Sequence, residues 1–435
     1  MLAGWAVSEI TPPVGAELAG YFQPRKSEGV LDPLMATALY VAGEEEVGIV
    51  SCDLIGLPEE VVRRARGRIE ALTGVSGDKV MISATHTHTG PVVFPKLGYR
   101  VDEGYLSSLA DSVARTFAKA KENAGEASLR LARGKVEGIS FNRRYRLKDG
   151  TVVTNPPKDR PDILGPAGPV DRDLTLLVVE AGEGTTMLVN FALHPDTLDG
   201  NLISADYIGV LRDLIRAGFH AELLFLQGAA GDVNHLDPEG KVATYTPHNR
   251  LRIGRAIFRE VERLSEEAGP TSGPVLSRST RIEVGLRLPS PEEVEEALST
   301  LEEAEMAEGP GLTAEDLAKG DIGARAFFAR ELLRVWEEGR TQAEMELQAV
   351  RLADLVLVGV PAEVFAEVGM KVREASPLPN TSVVELANGA MGYFPTERAF
   401  SEGGYETMLN SYSRLAPDTE GRVLRAVGEL TKELV

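Results

Sequence analysis

Cysteine is almost missing from this sequence. Only Cys52 stands among 435 residues, and one thiol can form neither an internal disulfide nor a thiolate metal cluster. It lies in the apolar run Val47-Gly-Ile-Val-Ser-Cys52 and reads as a buried structural thiol. Positive charge is also in deficit: 46 Lys and Arg against 66 Asp and Glu give a formal net charge of −20. Nucleic-acid binding relies on cations that neutralise phosphates, so no nucleic-acid partner is expected. The same sign disfavours docking on an anionic membrane surface. No run approaches the ~18 uninterrupted apolar residues of a membrane span, and no stable membrane insertion is expected. The start, Met1-Leu-Ala-Gly-Trp-Ala-Val, has neither a charged n-region nor a long apolar h-region, which makes a cytoplasmic location the default expectation. Common catalytic signatures are missing too. There is no Gly-x-Ser-x-Gly, no Walker loop, no His-Glu-x-x-His and no dinucleotide-binding glycine fingerprint in strand–turn–helix context.

What is present fits a soluble enzyme, with 43% hydrophobic residues, 26% charged residues and 44 glycines for turns. The length exceeds what one compact core usually holds, so two packed lobes or one large α/β domain with an insertion is expected. Short apolar runs alternate with amphipathic stretches. Strands are predicted at 36–41, 48–52, 80–83, 346–351, 355–360 and 382–386. The apolar runs 187–193 and 223–226 read as central strands buried on both faces. Helices are predicted at 59–72, 105–122, 209–216, 251–264 and 419–434 from their 3.6-residue spacing. Residues 143–170, rich in Pro, Gly and charge, read as a long irregular loop. The Glu- and Ala-rich stretch 289–345, broken at Glu308-Gly-Pro-Gly311, reads as a surface helical insertion with a solvated charged face. The fold class is thus α/β, with mixed, largely buried β-sheets flanked by helices.

Histidine is scarce, with six residues, and its placement is informative. His86 and His88 follow a predicted strand. In extended backbone, residues i and i+2 point the same way, so two imidazoles can converge on one ion or substrate. A polar strand end is the plain alternative. His194 follows the buried run 187–193, where it is either a ligand-crevice residue or a core histidine satisfied by a carbonyl. Asp53, the segment Gly228-Ala-Ala-Gly-Asp-Val-Asn-His235, Glu363, and the segment Asn388 to Tyr393 also sit just past strand ends. So many polar groups at one kind of position point to one shared site. His86, His194 and Glu363 make a plausible Zn²⁺ set with an open position. Alone, Glu363 could simply be a carboxylate at a helix N-terminus, and Tyr393 a packed aromatic. The amides of Gly228–Gly231 could bend towards an anion.

These residues together resemble the catalytic domain of the neutral/alkaline ceramidases, zinc amidases that cleave the N-acyl bond of ceramide. The likeness is carried by Ile10-Thr-Pro-Pro, Ala19-Gly-Tyr21, Thr85-His86-Thr87-His88-Thr89-Gly-Pro91, Asn142-Arg143 and Asn190-Phe-Ala-Leu-His194-Pro. It continues through Gly228-Ala-Ala-Gly-Asp-Val233, Pro361-Ala-Glu363, Tyr393 and Gly404-Tyr405-Glu406. It implies a zinc site of His86, His194, Glu363 and Tyr393, with His88, Arg143 and Tyr405 lining the substrate pocket. The family's Gly-Asp-Val-Ser-Pro-Asn reads here Gly231-Asp-Val-Asn234-His235-Leu. Asn234 cannot be a nucleophile but can donate a hydrogen bond. A single catalytic domain over 1–435, without the family's C-terminal immunoglobulin-like domain, is expected. The expected activity is hydrolysis of an amide bond in a small acylated molecule other than ceramide. Ester or phosphoester hydrolysis, or metal-dependent ligand binding without catalysis, are the alternatives, and a homo-oligomer is left open.

Overall fold

A computed structural model of the chain describes residues 1–22, 24–95, 100–156, 160–237, 245–305 and 321–435. Among the described residues nine strands form one sheet: β1 (Leu2–Glu9), β2 (Met35–Ala42), β3 (Glu46–Cys52), β4 (Val80–Ala84), β5 (Gly125–Lys135), β6 (Asp173–Ala181), β7 (Gly184–Phe191), β8 (Glu222–Gln227) and β9 (Gly269–Thr271). Their order is β8-β7-β6-β5-β1-β2-β3-β4, with β9 paired to β5. A second sheet runs β10 (Val275–Gly285), β11 (Gln342–Leu352), β12 (Leu355–Val360) and β13 (Thr381–Glu385). Most neighbours are antiparallel, whereas β3–β4, β7–β8 and β12–β13 are parallel.

Side-chain alternation explains the layering. In β2, Ala36, Ala38 and Tyr40 face one core while Leu39 and Val41 face another, the period-two pattern of a strand covered on both sides. Helices α1 (Glu59–Thr73) and α2 (Glu103–Glu122) cover the first of these faces. Asp102 caps α2 by accepting from the Tyr105 amide, and Gly74, at φ 75°, ends α1. Helices α3 (Tyr207–Phe219) and α4 (Pro247–Glu267) pack on β6–β8. The inner faces of the two sheets share one core, where Leu39, Ile49, Met81, Leu188 and Leu224 meet Val350, Leu357 and Val384. The Asn190 amide stitches the sheets together, donating to Leu226 O (3.1 Å) and Val383 O (2.9 Å).

Helices α5 (Pro291–Glu305) and α6 (Ile322–Glu338) form the expected helical insertion, and the break at Glu308–Gly311 lies outside the described residues. Its face is not purely solvated, because α6 buries Phe327 and Phe328. Helices α7 (Ala366–Ala375) and α8 (Thr419–Lys432) back the second sheet. The irregular loop expected over 143–170 is instead a three-stranded antiparallel sheet of Arg144–Leu147, Val152–Thr154 and Ile163–Pro166. Strands of only three or four residues carry too little apolar alternation to be read from sequence. Among the described residues no helix is long and apolar enough to cross a membrane.

Candidate metal centre

Each parallel strand pair ends at the same place. Beyond Cys52 and Ala84 come Leu54, Ile55 and His86; beyond Phe191 and Gln227 come His194 and Gly228–Gly231; beyond Val360 comes Glu363. His86 adopts φ 72°, a left-handed backbone that is uncommon for a residue with a Cβ and characteristic of functional sites. Its amide donates to Leu54 O (2.8 Å), which anchors the kink to the chain leaving β3. His86 and His88 do converge, but through this kink rather than through the same-side geometry of an extended strand.

The ring contacts define the protons. His86 Nδ1 lies 2.6 Å from Ile55 O, and His194 Nδ1 lies 3.1 Å from Ala230 O. A carbonyl only accepts, so both Nδ1 atoms carry hydrogen and, in the neutral rings, both Nε2 atoms present lone pairs. Those two Nε2 atoms are 3.0 Å apart, and His88 Nε2 is 3.3 Å from His86 Nε2. Glu363 Oε2, buried and without a hydrogen-bond partner, stands 3.3 Å from His86 Nε2 and 3.6 Å from His194 Nε2. Burial, reinforced by the neighbouring His86 ring and the Arg143 guanidinium, holds the His88 and His194 rings well below the usual imidazole range. Burial works to raise the Glu363 carboxyl, but His86 and Arg143 outweigh it and hold the group below its ordinary value. Lone pairs and a carboxylate oxygen thus face one another in a dry pocket. A cation between them relieves that repulsion, and the donor set suits a borderline divalent ion.

Tyr393 enters through backbone pairing. Glu363 and Tyr393 are register partners in a short parallel ladder, followed by Val364 and Phe394. Tyr405 packs edge-on against Tyr393 at 5.7 Å between centroids, and the Arg143 guanidinium lies 5.3 Å from the Tyr393 ring centre. A cavity of about 600 Å³ opens above His86, His88 and Glu363, well within the range of small-molecule sites. Phe22, Phe327, Phe328 and Tyr405 form one aromatic wall in mutual edge contacts. Val92, Phe94 and Met391 supply further apolar lining, with Glu59, Arg281 and Glu344 contributing charge.

A family model described as neutral/alkaline non-lysosomal ceramidase, N-terminal, matches residues 1–222. The chain belongs to the neutral/alkaline non-lysosomal ceramidase family. It is similar to the neutral ceramidase of Mycobacterium tuberculosis, 25% identical over 422 residues that cover 80% of this chain and 62% of that protein. The chain therefore spans less than two thirds of that relative's length. The crystal structure of neutral ceramidase from Pseudomonas aeruginosa superposes with a TM-score of 0.73 at 19% identity, covering 100% of this chain and 74% of that one. A solved ceramidase complexed with C2 superposes with a TM-score of 0.71 at 18% identity, covering 100% and 75%. Both superpositions concern the fold. The family-model match contains His86, His88, Arg143 and His194, while Glu363, Tyr393 and Tyr405 lie beyond residue 222.

Within this ceramidase-family scaffold the other expected residues divide. Arg143 is buried but largely committed: Nε donates to Glu406 Oε1 (2.7 Å) and Nη2 to Gly231 O (2.7 Å). Asn234 does not border the cavity; it donates to Asn155 Oδ1 (3.0 Å) and accepts from the Leu236 amide (3.1 Å). Asp53 is structural, bound to Arg212 Nη2 (2.6 Å) and the Met35 amide (2.8 Å). Sequence reasoning overlooked Asp196, whose Oδ1 is 3.7 Å from His88 Nδ1 and accepts from the Tyr21 hydroxyl at 2.7 Å. Burial pushes the Asp196 carboxyl up to about 7. Its place directly after His194-Pro195 was the one available signal.

Two motif glycines make the site possible. A Cβ on Gly20, at φ 99°, would fall 2.7 Å from His88 Cβ, and one on Gly231 would fall 2.4 Å from Glu363 O. Gly231→Ala should therefore push the Glu363 strand outward and cost about 1–3 kcal/mol. Urea unfolding measures that loss; an unchanged midpoint would show that the two segments can part freely.

Proposed function

We propose that this chain is a zinc-dependent hydrolase that cleaves an amide (N-acyl) bond in a small acylated molecule other than ceramide. The observation that carries this is the convergence of imidazole lone pairs on the unpartnered Glu363 carboxylate oxygen. His86, His194, Glu363 and Tyr393 would hold the ion. When bound, zinc supplies Lewis-acid activation of water and of a carbonyl group.

The chain's own groups do the rest. His88 is neutral and half-buried beside the cluster, so it can accept a proton at Nε2 and return it to a departing amine. Asp196 and Tyr21 stand behind its other nitrogen. The Tyr405 hydroxyl is available to donate towards developing oxygen charge. With Nε and Nη2 engaged, Arg143 acts as a fixed positive charge beside Tyr393 rather than as a free clamp for a substrate anion. Asn234, whose amide is not a nucleophile, holds Asn155 and the chain around Arg143. The aromatic wall excludes water and offers an apolar surface to an acyl group. In this reading the partner is that small molecule, with no nucleic acid and no stable membrane insertion, in the cytoplasm.

The test is a panel of N-acyl amino acids, N-acyl amines, lactones and phosphoesters offered to zinc-loaded protein, with the amides expected to turn over. Preference for lactones or phosphoesters would move the reading to ester hydrolysis. Tight binding with no turnover would make the chain a metal-dependent binding protein. His88→Ala should lower kcat by about 10²–10⁴-fold while the metal content stays near one per chain. Loss of the metal instead would make His88 a ligand, which its 3.3 Å approach to His86 permits.

A further inference from the structure

The loop Gly228–Gly231 bears two orienting carbonyls. Ala230 O accepts from His194 Nδ1 (3.1 Å), and Gly231 O accepts from Arg143 Nη2 (2.7 Å). One side chain sets this loop from behind. Glu385, fully buried at the end of β13, accepts with Oε2 from the Ala230 amide (3.1 Å) and from the Val364 amide (2.9 Å). Ala230 is thus gripped at its amide while its carbonyl aims His194, and Val364 is the chain neighbour of Glu363. The Gly231 amide completes the junction on Val364 O (2.8 Å). The amides of Gly228–Gly231 do not gather on an anion: that of Ala230 meets Glu385, while those of Gly228 and Gly231 donate to Phe191 O (2.9 Å) and Val364 O. Glu385 Oε1 is buried without a hydrogen-bond partner, so the hydrogen bonds this side chain accepts all serve the one junction.

We propose that Glu385 is a positioning residue for the metal centre. Through the Ala230 and Val364 amides it sets the separation between the His194 imidazole and the Glu363 carboxylate. This rests on the metal-centre reading above. Removing the acceptor leaves two buried amides unpartnered, so the loop and the Glu363 strand lose their common anchor. Groups that hold metal ligands from behind commonly account for 10–100-fold in metal affinity.

The experiment compares full-length wild type with E385M, E385D and E385Q by chelator competition for zinc and by the electronic spectrum of the cobalt-substituted protein. E385M fills the space without an acceptor, and E385D is too short to reach both amides. Both should bind zinc about 10–100-fold more weakly and shift the cobalt bands. E385Q keeps an accepting oxygen and should stay close to wild type. If E385M fails to fold, E385D reads the same quantity. Wild-type affinity and cobalt spectrum in E385M or E385D would overturn the inference, as would an equal loss in E385Q. A fall in apoprotein stability with an unchanged cobalt spectrum would show a merely structural residue and overturn it too. A wild-type chain that takes up no divalent ion would instead remove the metal-centre reading on which it rests.

Discussion

If the chain is the zinc hydrolase proposed above, alanine at His194 should empty the metal centre and stop turnover. The ring is buried, its Nδ1 is committed to Ala230 O, and its Nε2 faces that of His86 at 3.0 Å. Deleting it removes a neutral donor from the middle of the cluster and leaves Glu363 and His86 too few partners to retain a divalent ion. Zinc content should fall from about one per chain to near zero. Hydrolysis should fall on the order of 10³-fold or more, since Lewis-acid stabilisation is worth several kcal/mol and each 1.36 kcal/mol is a factor of ten. His220→Ala is the matched control. That exposed residue ends α3 in a left-handed conformation, and its loss should leave metal content and rate unchanged. Retention of a full zinc equivalent by His194→Ala would exclude this cluster as the metal site.

His194 also shows how far the sequence is legible. It follows a run of apolar residues buried on both faces, and such runs announce their own strand ends; β7, β8 and β12 were readable for that reason. Strands β5 and β10 were not, because their partly exposed residues alternate with charge and small polar groups. Candidate site residues at strand ends could be named one by one, but their meeting could not. Strand β4, which leads to His86, and β8, beside the strand that leads to His194, lie at opposite ends of the sheet order and still touch. That closure comes from sheet curvature, for which a linear pattern carries no measure. The same limit hid the left-handed kink at His86 and the ladder that puts Tyr393 beside Glu363. Tyr393 was therefore nominated by family resemblance alone. Glu385 was invisible, since a glutamate ending a strand looks alike whether it meets solvent or two buried amides.

Glu406→Ala should be the most destabilising single substitution near the site, at about 3–5 kcal/mol. Glu406 is fully buried and bridges two buried arginines, accepting from Arg143 Nε at 2.7 Å and Arg144 Nη1 at 3.1 Å, with Thr154 donating at 2.8 Å. Replacing it leaves two guanidinium groups without their counter-charge in a dry interior, and the penalty is the uncompensated charge rather than the lost bonds. Against a total stability of roughly 5–15 kcal/mol this is a large fraction. Adding Arg144→Met to Glu406→Ala should recover part of the loss, because one buried charge is then removed. Denaturant unfolding of the two variants measures both effects. A cost below about 1 kcal/mol, the scale of a solvated pair, would mean that water reaches the arginines. The consequence also reaches the chemistry. Arg143 is one of the charges that keep His88 and His194 neutral and the Glu363 carboxyl low. Glu406 fixes where that charge sits, so folded Glu406→Ala protein should bind zinc more weakly even in the fraction that remains native.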